Sequence, residues 1–373
     1  MGGRVVSTEE FDTLIPLLQR RGYDVIGPTV SEKTIVLDRI GSAADLPIGW
    51  TDDQEAGSYK IRRRSDQAYF GYTVGPRSAK RYLYPPRQTI LTIEHAETGL
   101  RFNPEPPGTV RYAFFGLRAC EIAAIEVQDR VFIHDRFTDP HYVQRRSDSF
   151  TVGVNCAVAG STCFCDSMGT GPECTTGFDL VVTEIVNGNR HEFVIESATD
   201  EGAEVLDELE GRVTTPADRK EVRAIIADTV DHIGRSMDSD ATYPVLTRNL
   251  EHDLWASIAE RCLNCTNCTL VCPTCFCSTM EDMTGLDGTA VRTRRWDSCF
   301  NREFTFLHGQ AVRFTTKSRY RQWMTHKLAY WYDQFGSSGC VGCGRCITWC
   351  PAGIDITEEF RRLQEDVSEE VLA

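Results

Sequence analysis

Four cysteines, Cys340, Cys343, Cys346 and Cys350, are separated by two, two and three residues, and Pro351 follows the last. Cys262, Cys265, Cys268 and Cys272 repeat that spacing, again with a proline, Pro273, after the fourth. This is the bacterial ferredoxin run, in which three thiolates hold one [4Fe–4S] cubane and the fourth reaches across to its neighbour. The exchange rule predicts Cys262, Cys265, Cys268 and Cys350 on one cluster, and Cys340, Cys343, Cys346 and Cys272 on the other. Proline after the fourth cysteine resists continuing a helical turn and redirects the chain. Paired C-x-x-C elements also bind zinc. Four ligands complete a zinc site, however, and nothing in zinc chemistry calls for the longer run twice.

Eight cysteines remain. Cys120 stands in the turn after an apolar strand, Tyr112-Ala-Phe-Phe115, and Cys156 ends the next strand, Phe150 to Val154. Cys163 and Cys165 follow within ten residues. In an α/β sheet neighbouring parallel strands deliver their carboxyl ends to one edge, where sites form. These four are therefore candidates for a third [4Fe–4S] cluster, against the plainer account of buried thiols acting as small hydrophobes. Thr274-Cys-Phe-Cys277 repeats the tetrapeptide Thr162-Cys-Phe-Cys165, and Cys275, Cys277 and Cys299 either pack against the clusters or form a further site. Cys174 is the weakest candidate ligand.

Other chemistry lacks its residues. No G-x-G-x-x-G, P-loop or H-E-x-x-H pattern occurs, so no catalytic group or nucleotide-binding residue is assigned. Clusters without a substrate site point to an electron relay rather than a catalyst. The competing readings are a flavin or substrate held by the N-terminal region, and a cluster-stabilised scaffold with no electron traffic.

The elements that position these cysteines fall in two regions. Residues 1–244 read as an α/β domain. It opens with a helix capped at Ser7 or Thr8, whose apolar face is Phe11, Leu14, Ile15 and Leu18. Strands are predicted at 35–37, 68–73, 112–115 and 150–154, and a hairpin joins 179–186 to 193–195 across Asn187-Gly188. Thr215-Pro216 opens a helix running to about Gly234, and 238–243 reads as a linker. Residues 245–373 read as an all-α ferredoxin-type domain, with helices at 250–260, 318–333 and 357–369. The 67 residues between Cys272 and Cys340 exceed what a compact two-cluster ferredoxin needs. The predicted fold class is thus α+β, an α/β domain followed by an all-α domain carrying two [4Fe–4S] clusters.

At 373 residues with 16 cysteines and no hydrophobic leader, metal binding accounts for the thiols better than secreted disulfides do. No apolar run approaches the roughly 18 residues that span a bilayer, and the expectation is a cytoplasmic protein with no membrane partner. A net charge of −14 argues against nucleic acid. Between Val291 and Ala329, nine Arg or Lys face two acids, either a solvated helix face or a surface for anionic clusters or an acidic subunit. Tyr59 to Arg64 and Arg77 to Arg87 form a second basic, aromatic-bearing stretch, with solvated loops as its default account.

Several stretches taken with the two runs resemble one family. They are Gly75-Pro76, Lys80-Arg-Tyr-Leu-Tyr-Pro-Pro86, Gly116-Leu-Arg-Ala-Cys120, Thr162 to Gly171 and Arg319 to Lys327. The chain resembles the iron–sulfur β subunit of cytoplasmic NAD(P)-linked [NiFe] hydrogenases of the sulfhydrogenase type, to which the corresponding component of anaerobic sulfite reductase is related. The resemblance implies a four-subunit assembly in which this chain carries electrons between a flavin subunit that reacts with NAD(P)H and the small and large hydrogenase subunits. The alternative it leaves is the equivalent electron-transfer subunit of a sulfite reductase. The family's ligands fall on the eight run cysteines, and Glu121 stands where the family would be expected to have Asp.

Overall fold

The computed structural model describes residues 2–188 and 190–372, with side chains as far as residue 366. Its largest element is an eight-stranded mixed sheet. From one edge the order is Arg212–Val213, Gly3–Ser7, Arg190–Ser197, Leu180–Asn187, Phe150–Val154, Tyr112–Arg118, Asp24–Ser31 and Thr34–Arg39. The four strands from Leu180–Asn187 to Asp24–Ser31 pair in parallel, and the flanking pairs are antiparallel.

The parallel centre explains the sequence pattern. Phe150–Val154 is buried at every position, and Tyr112–Arg118 at all but its first, because helices cover both faces of a parallel sheet. On one face Leu14–Arg20 and Asp200–Asp207 pack on Phe115, Phe150, Val152 and Phe193. On the other, Ala119–Phe132 and Pro140–Ser147 cover Ile26, Phe114 and Leu117. Helices and sheet of this region thus form three layers, and the hairpin at the sheet's antiparallel side pairs Asn187 with Arg190.

Three local expectations change. The first helix is broken into Thr8–Phe11 and Leu14–Arg20, with Ser7 capping the former. Residues 68–73 form no strand. The Tyr69 and Phe70 N–H groups donate to the Glu184 carboxylate at 2.7 and 2.8 Å, and Thr73 N–H donates to Asp52 Oδ1 at 2.7 Å. Side-chain acceptors thus occupy donors that a ladder would use. The expected linker is a helix, Ser239–Arg248, capped by Asp238 and carrying Pro244 inside it.

The all-α expectation for the C-terminal region is overturned. Ser278–Thr284 and Ala290–Trp296 form a hairpin around a turn containing Gly288, and join Arg87–Ala96 and Gly99–Pro104 in a four-stranded sheet. Phe306–Leu307 and Gln310–Ala311 make a second small hairpin. Part of the basic stretch is therefore strand. Arg292 and Arg295 pair across it with Asp282 and Glu281 at 2.7 Å each, a cross-strand arrangement that suits alternating charge. The helices Leu254–Arg261, Thr316–Thr325, Trp331–Phe335 and Ile356–Leu372, with a π-helical turn at His326–Tyr330, enclose the two cysteine runs. Among the described residues no helix is long and apolar enough to cross a membrane.

Candidate iron–sulfur centres

The two runs fold alike. Each places a four-residue helix, Asn267–Leu270 or Arg345–Thr348, after its second cysteine. A residue in the left-handed region precedes each helix, Thr266 at φ 69° and Gly344 at φ 74°. This turns successive thiols toward one point. Asn267 Nδ2 donates to Trp349 O at 3.2 Å, tying one run to the other.

The thiols gather in two sets. Cys262, Cys265, Cys268 and Cys350 line one cavity, which Cys346 also borders. Burial, then the sulfurs of Cys262, Cys350 and Cys265, push the Cys268 thiol far above its ordinary range. Burial and then Cys340, Cys343 and Cys272 do the same to Cys346, and Cys340 is pushed up to about 12, chiefly by burial. Cys268 and Cys346 also feel the opposite set, so the two sites adjoin.

A third gathering lies at the carboxyl edge of the large sheet. Arg118 and Val154 are paired ends of adjacent parallel strands, and Cys120 and Cys156 stand two residues beyond them. Both line a single apolar cavity with Cys163 and Cys165. Burial and then Cys156 push Cys163 up to about 12, and burial followed by Cys165 and Cys343 raises Cys120. A buried thiolate is costly without a compensating cation, so crowded thiols of this kind are suited to metal.

Among the described residues, no three His, Cys, Asp or Glu converge closely enough for one metal ion. Zinc draws its thiolates to about 2.3 Å from a single point, whereas a body of four irons and four sulfides holds them apart at its corners. Donors without partners face these sites. Tyr320 Oη and Trp323 Nε1 are buried and unpaired, and both residues line the Cys262 cavity. Arg118 Nη1 is likewise unpaired, while Nη2 donates to Phe70 O and Tyr72 O at 2.8 Å. Orphaned donors of this kind suit sulfide and thiolate acceptors. The residues present fit [4Fe–4S] clusters.

Charge is balanced by cations that the sequence disguised. Lys80 and Lys327, from the two basic stretches, are 4% and 5% exposed rather than solvated. Lys327 Nζ donates to Cys272 Sγ at 3.3 Å, Thr274 Oγ1 at 2.9 Å and Gly339 O at 3.1 Å. Lys80 Nζ donates to the carbonyls of Leu270, Cys272 and Cys275 and lies 4.0 Å from the Trp296 ring centroid. Burial alone would lower the Lys327 ammonium, but Cys272, Cys275 and Cys340 outweigh it and hold the group charged. Arg345 is 1% exposed and pairs with Glu121 at 2.5 Å while donating to Gly75 O at 2.6 Å. Glu121 is thereby engaged with arginine. Nothing in the helical or strand periodicity marked these cations as buried; their nearness to cysteine-bearing segments was the only available signal.

The remaining thiols are placed differently. Cys275 donates toward Cys272, which with Lys327 and Lys80 holds the Cys272 thiol well below its ordinary range. Cys277, hydrogen-bonded by Cys299, is lowered to about 7. Cys174 is buried beside Ile122 in the apolar layer under the sheet.

The loops holding the third gathering and the Cys340 run interlock. Phe164 N–H donates to Gly342 O at 2.8 Å and Thr170 Oγ1 donates to Val341 O at 2.8 Å. Gly342 and Gly344 have φ 61° and 74°, and a Cβ on either would lie 2.5 Å from Phe164 O or Thr162 O. Glycine is required at both, for conformation and for approach.

A family model for 4Fe-4S dicluster domains matches residues 261–354. The chain is 29% identical over 309 residues to sulfhydrogenase 2 subunit beta of Pyrococcus furiosus, an alignment covering 80% of this chain and 86% of the relative. No solved structure matches. The arrangement is that of an iron–sulfur electron-transfer subunit.

Proposed function

We propose that this chain, 29% identical to a sulfhydrogenase beta subunit and matched by a 4Fe-4S dicluster model, is an electron carrier of that kind, passing electrons singly between a flavin subunit reacting with NAD(P)H and the small and large subunits of a [NiFe] hydrogenase. Residues 245–373 would hold two [4Fe–4S] clusters through the eight run cysteines. Residues 1–244 would hold a third through Cys120, Cys156, Cys163 and Cys165. When bound, such clusters take up and release one electron each.

The observation that carries this reading is the interlock of the Thr162–Thr170 loop with the Cys340 run. It brings the loop of the third gathering against the Cys340 run, close enough for Cys343 to raise the thiols of Cys120 and Cys165, and this supports a relay through all three. The chain's own residues do the remaining work. Lys327, Arg118 and Arg345 supply buried positive charge, and the buried aromatic residues Tyr320 and Trp323 line the Cys262 cavity.

Iron and acid-labile sulfide counted on anaerobically purified protein test the cofactor part. About eight irons means two clusters, and about twelve adds the third. Replacing Cys163 and Cys165 by Ser should remove about four irons, and an unchanged count rejects the third site. Paramagnetic resonance on the assembled complex tests the rest. Hydrogen should reduce the clusters only when the partners are present. Reduction by NAD(P)H with no response to hydrogen favours the sulfite reductase alternative.

A further inference from the structure

Of the eight run cysteines Cys265 alone is exposed, so the cluster site it belongs to is the one nearest solvent. Apolar side chains are exposed beside it and on the segment that hydrogen bonds to its neighbour Asn264. Leu263 is 66% exposed, and Phe306, Leu307, Val312 and Phe314, on and after the small hairpin, are 54 to 60% exposed. The two segments are joined. Asn264 Nδ2 donates to Thr316 Oγ1 at 2.8 Å, and Arg319 donates both to Asn264 Oδ1 at 3.1 Å and to Phe314 O at 2.8 Å. Val312 N–H donates to Thr305 O at 2.9 Å, closing the hairpin.

A large exposed apolar patch marks an interaction site. The charge around this one is also unusual for a chain of net charge −14. Arg302 stacks on Phe314 with its guanidinium carbon 3.9 Å from the ring centroid. Arg313 donates to Gln322 at 3.0 Å. Neither of these arginines, nor Lys317, makes an ion pair among the described residues. Glu303 is the one acid in the segment from 298 to 318. An apolar centre with unpaired cations at its rim complements a partner of opposite rim charge.

We propose that the 302–314 segment, tied through Arg319 and Thr316 to Asn264 beside Cys265, forms with Leu263 the docking face for a partner subunit that has an acidic rim and carries an iron–sulfur cluster of its own. The proposal rests on the electron-carrier reading above and adds where the electron crosses. Electron tunnelling falls steeply with distance, so the crossing belongs where a cluster ligand reaches the surface. A cluster delivers one electron at a time, and another cluster accepts one without an accompanying proton or hydride. The hairpin's apolar side chains exclude water from the contact, and Arg302, Arg313 and Lys317 steer the acidic partner onto it.

The test uses the full-length holoprotein, purified anaerobically with its native partners through an affinity tag. Leu307→Glu with Phe314→Glu should reduce co-purification of the partner at least tenfold, with iron content and the paramagnetic spectrum of this chain unchanged. Arg302→Glu with Lys317→Glu should weaken association most at low salt. Met283→Glu with Leu286→Glu, on exposed apolar positions of the other hairpin, should leave association intact. A photo-crosslinker replacing Phe314 should mark a subunit that itself contains iron and labile sulfide. Normal association of the Leu307/Phe314 variant, or crosslinking only to a second copy of this chain or to a subunit without a cluster, overturns the assignment. Failure of the electron-carrier reading shows itself separately, as an iron-poor wild-type chain, and removes the docking face with it.

Discussion

Lys327 shows how much one side chain can govern here. Its ammonium is buried, meets no carboxylate among the described residues and donates to the sulfur of Cys272. An isolated buried cation is strongly unfavourable, so the anionic thiolates beside it are its counter-charge, and the stabilisation is mutual. Positive charge and an N–H···S bond favour the more negative, reduced form of a cluster. Lys327→Met should therefore lower the midpoint potential of the cluster ligated by the Cys340 run, by about 59 mV for a tenfold change in the one-electron equilibrium. Lys327→Arg should restore part of the shift. Redox titration followed by paramagnetic resonance reads both, with iron content as the control. An unchanged potential in an iron-replete Met variant would assign the lysine a purely structural part.

The short elements explain both what was legible and what was hidden. The cysteine runs were readable because their chemistry is local: ligand spacing and a following proline suffice. The third gathering was readable at one remove, since strands ending at Arg118 and Val154 put Cys120 and Cys156 side by side. The hairpin at 278–296 was not readable as strand. Its partner strand, Arg87–Ala96, lies about two hundred residues earlier, and its arginines resembled a solvated helix face until cross-strand acids were placed opposite them. Non-local pairing of this kind leaves no periodic trace that a single segment could reveal. Two sharp predictions belong to this scale. Gly344→Ala places a Cβ against Thr162 O at a positive φ, so it should cost iron at the Cys340 run and at the Cys163 loop together, as measured by iron count. The second concerns the helix Pro216–Asp231, capped by Thr215 and Asp218. Hydrogen bonds from Arg212 and then Thr215 hold the Asp218 carboxyl well below its ordinary range. A depressed folded-state value contributes stability above the unfolded value, near 4, which is lost as pH falls through the folded one. Asp218→Asn should therefore lower the melting temperature at neutral pH, and the gap to wild type should close as the pH drops below about 4. A gap independent of pH would refute the linkage.

At the scale of the whole molecule, the two halves of the chain share their structure. Ala290–Trp296 lies between Ser278–Thr284 and Arg87–Ala96 in one sheet. Gln128 donates to Pro273 O at 2.9 Å, and Lys80 reaches the carbonyl of Cys272 at 2.7 Å. A division of labour between residues 1–244 and 245–373 is thus compatible with mutual dependence in folding. A fragment comprising 245–373 should expose the unpaired edge of Ala290–Trp296, lose the Lys80 counter-charge, and retain less iron than the same segment in the intact chain. Full iron loading of a monomeric fragment would contradict this.

The exposure of Cys265 has a cost as well as a use. A thiolate that an electron can reach from outside is also one that dioxygen can reach. Iron–sulfur clusters corrode from their accessible corners, so a cluster held by Cys265 would be the point at which air enters the protein's chemistry. A partner docked on the neighbouring hairpin, as proposed, would seal that corner, and assembly would then double as protection. The chain alone should age from that end inward, with the thiols of Cys272, Cys340 and Cys343, all buried, the last to be reached.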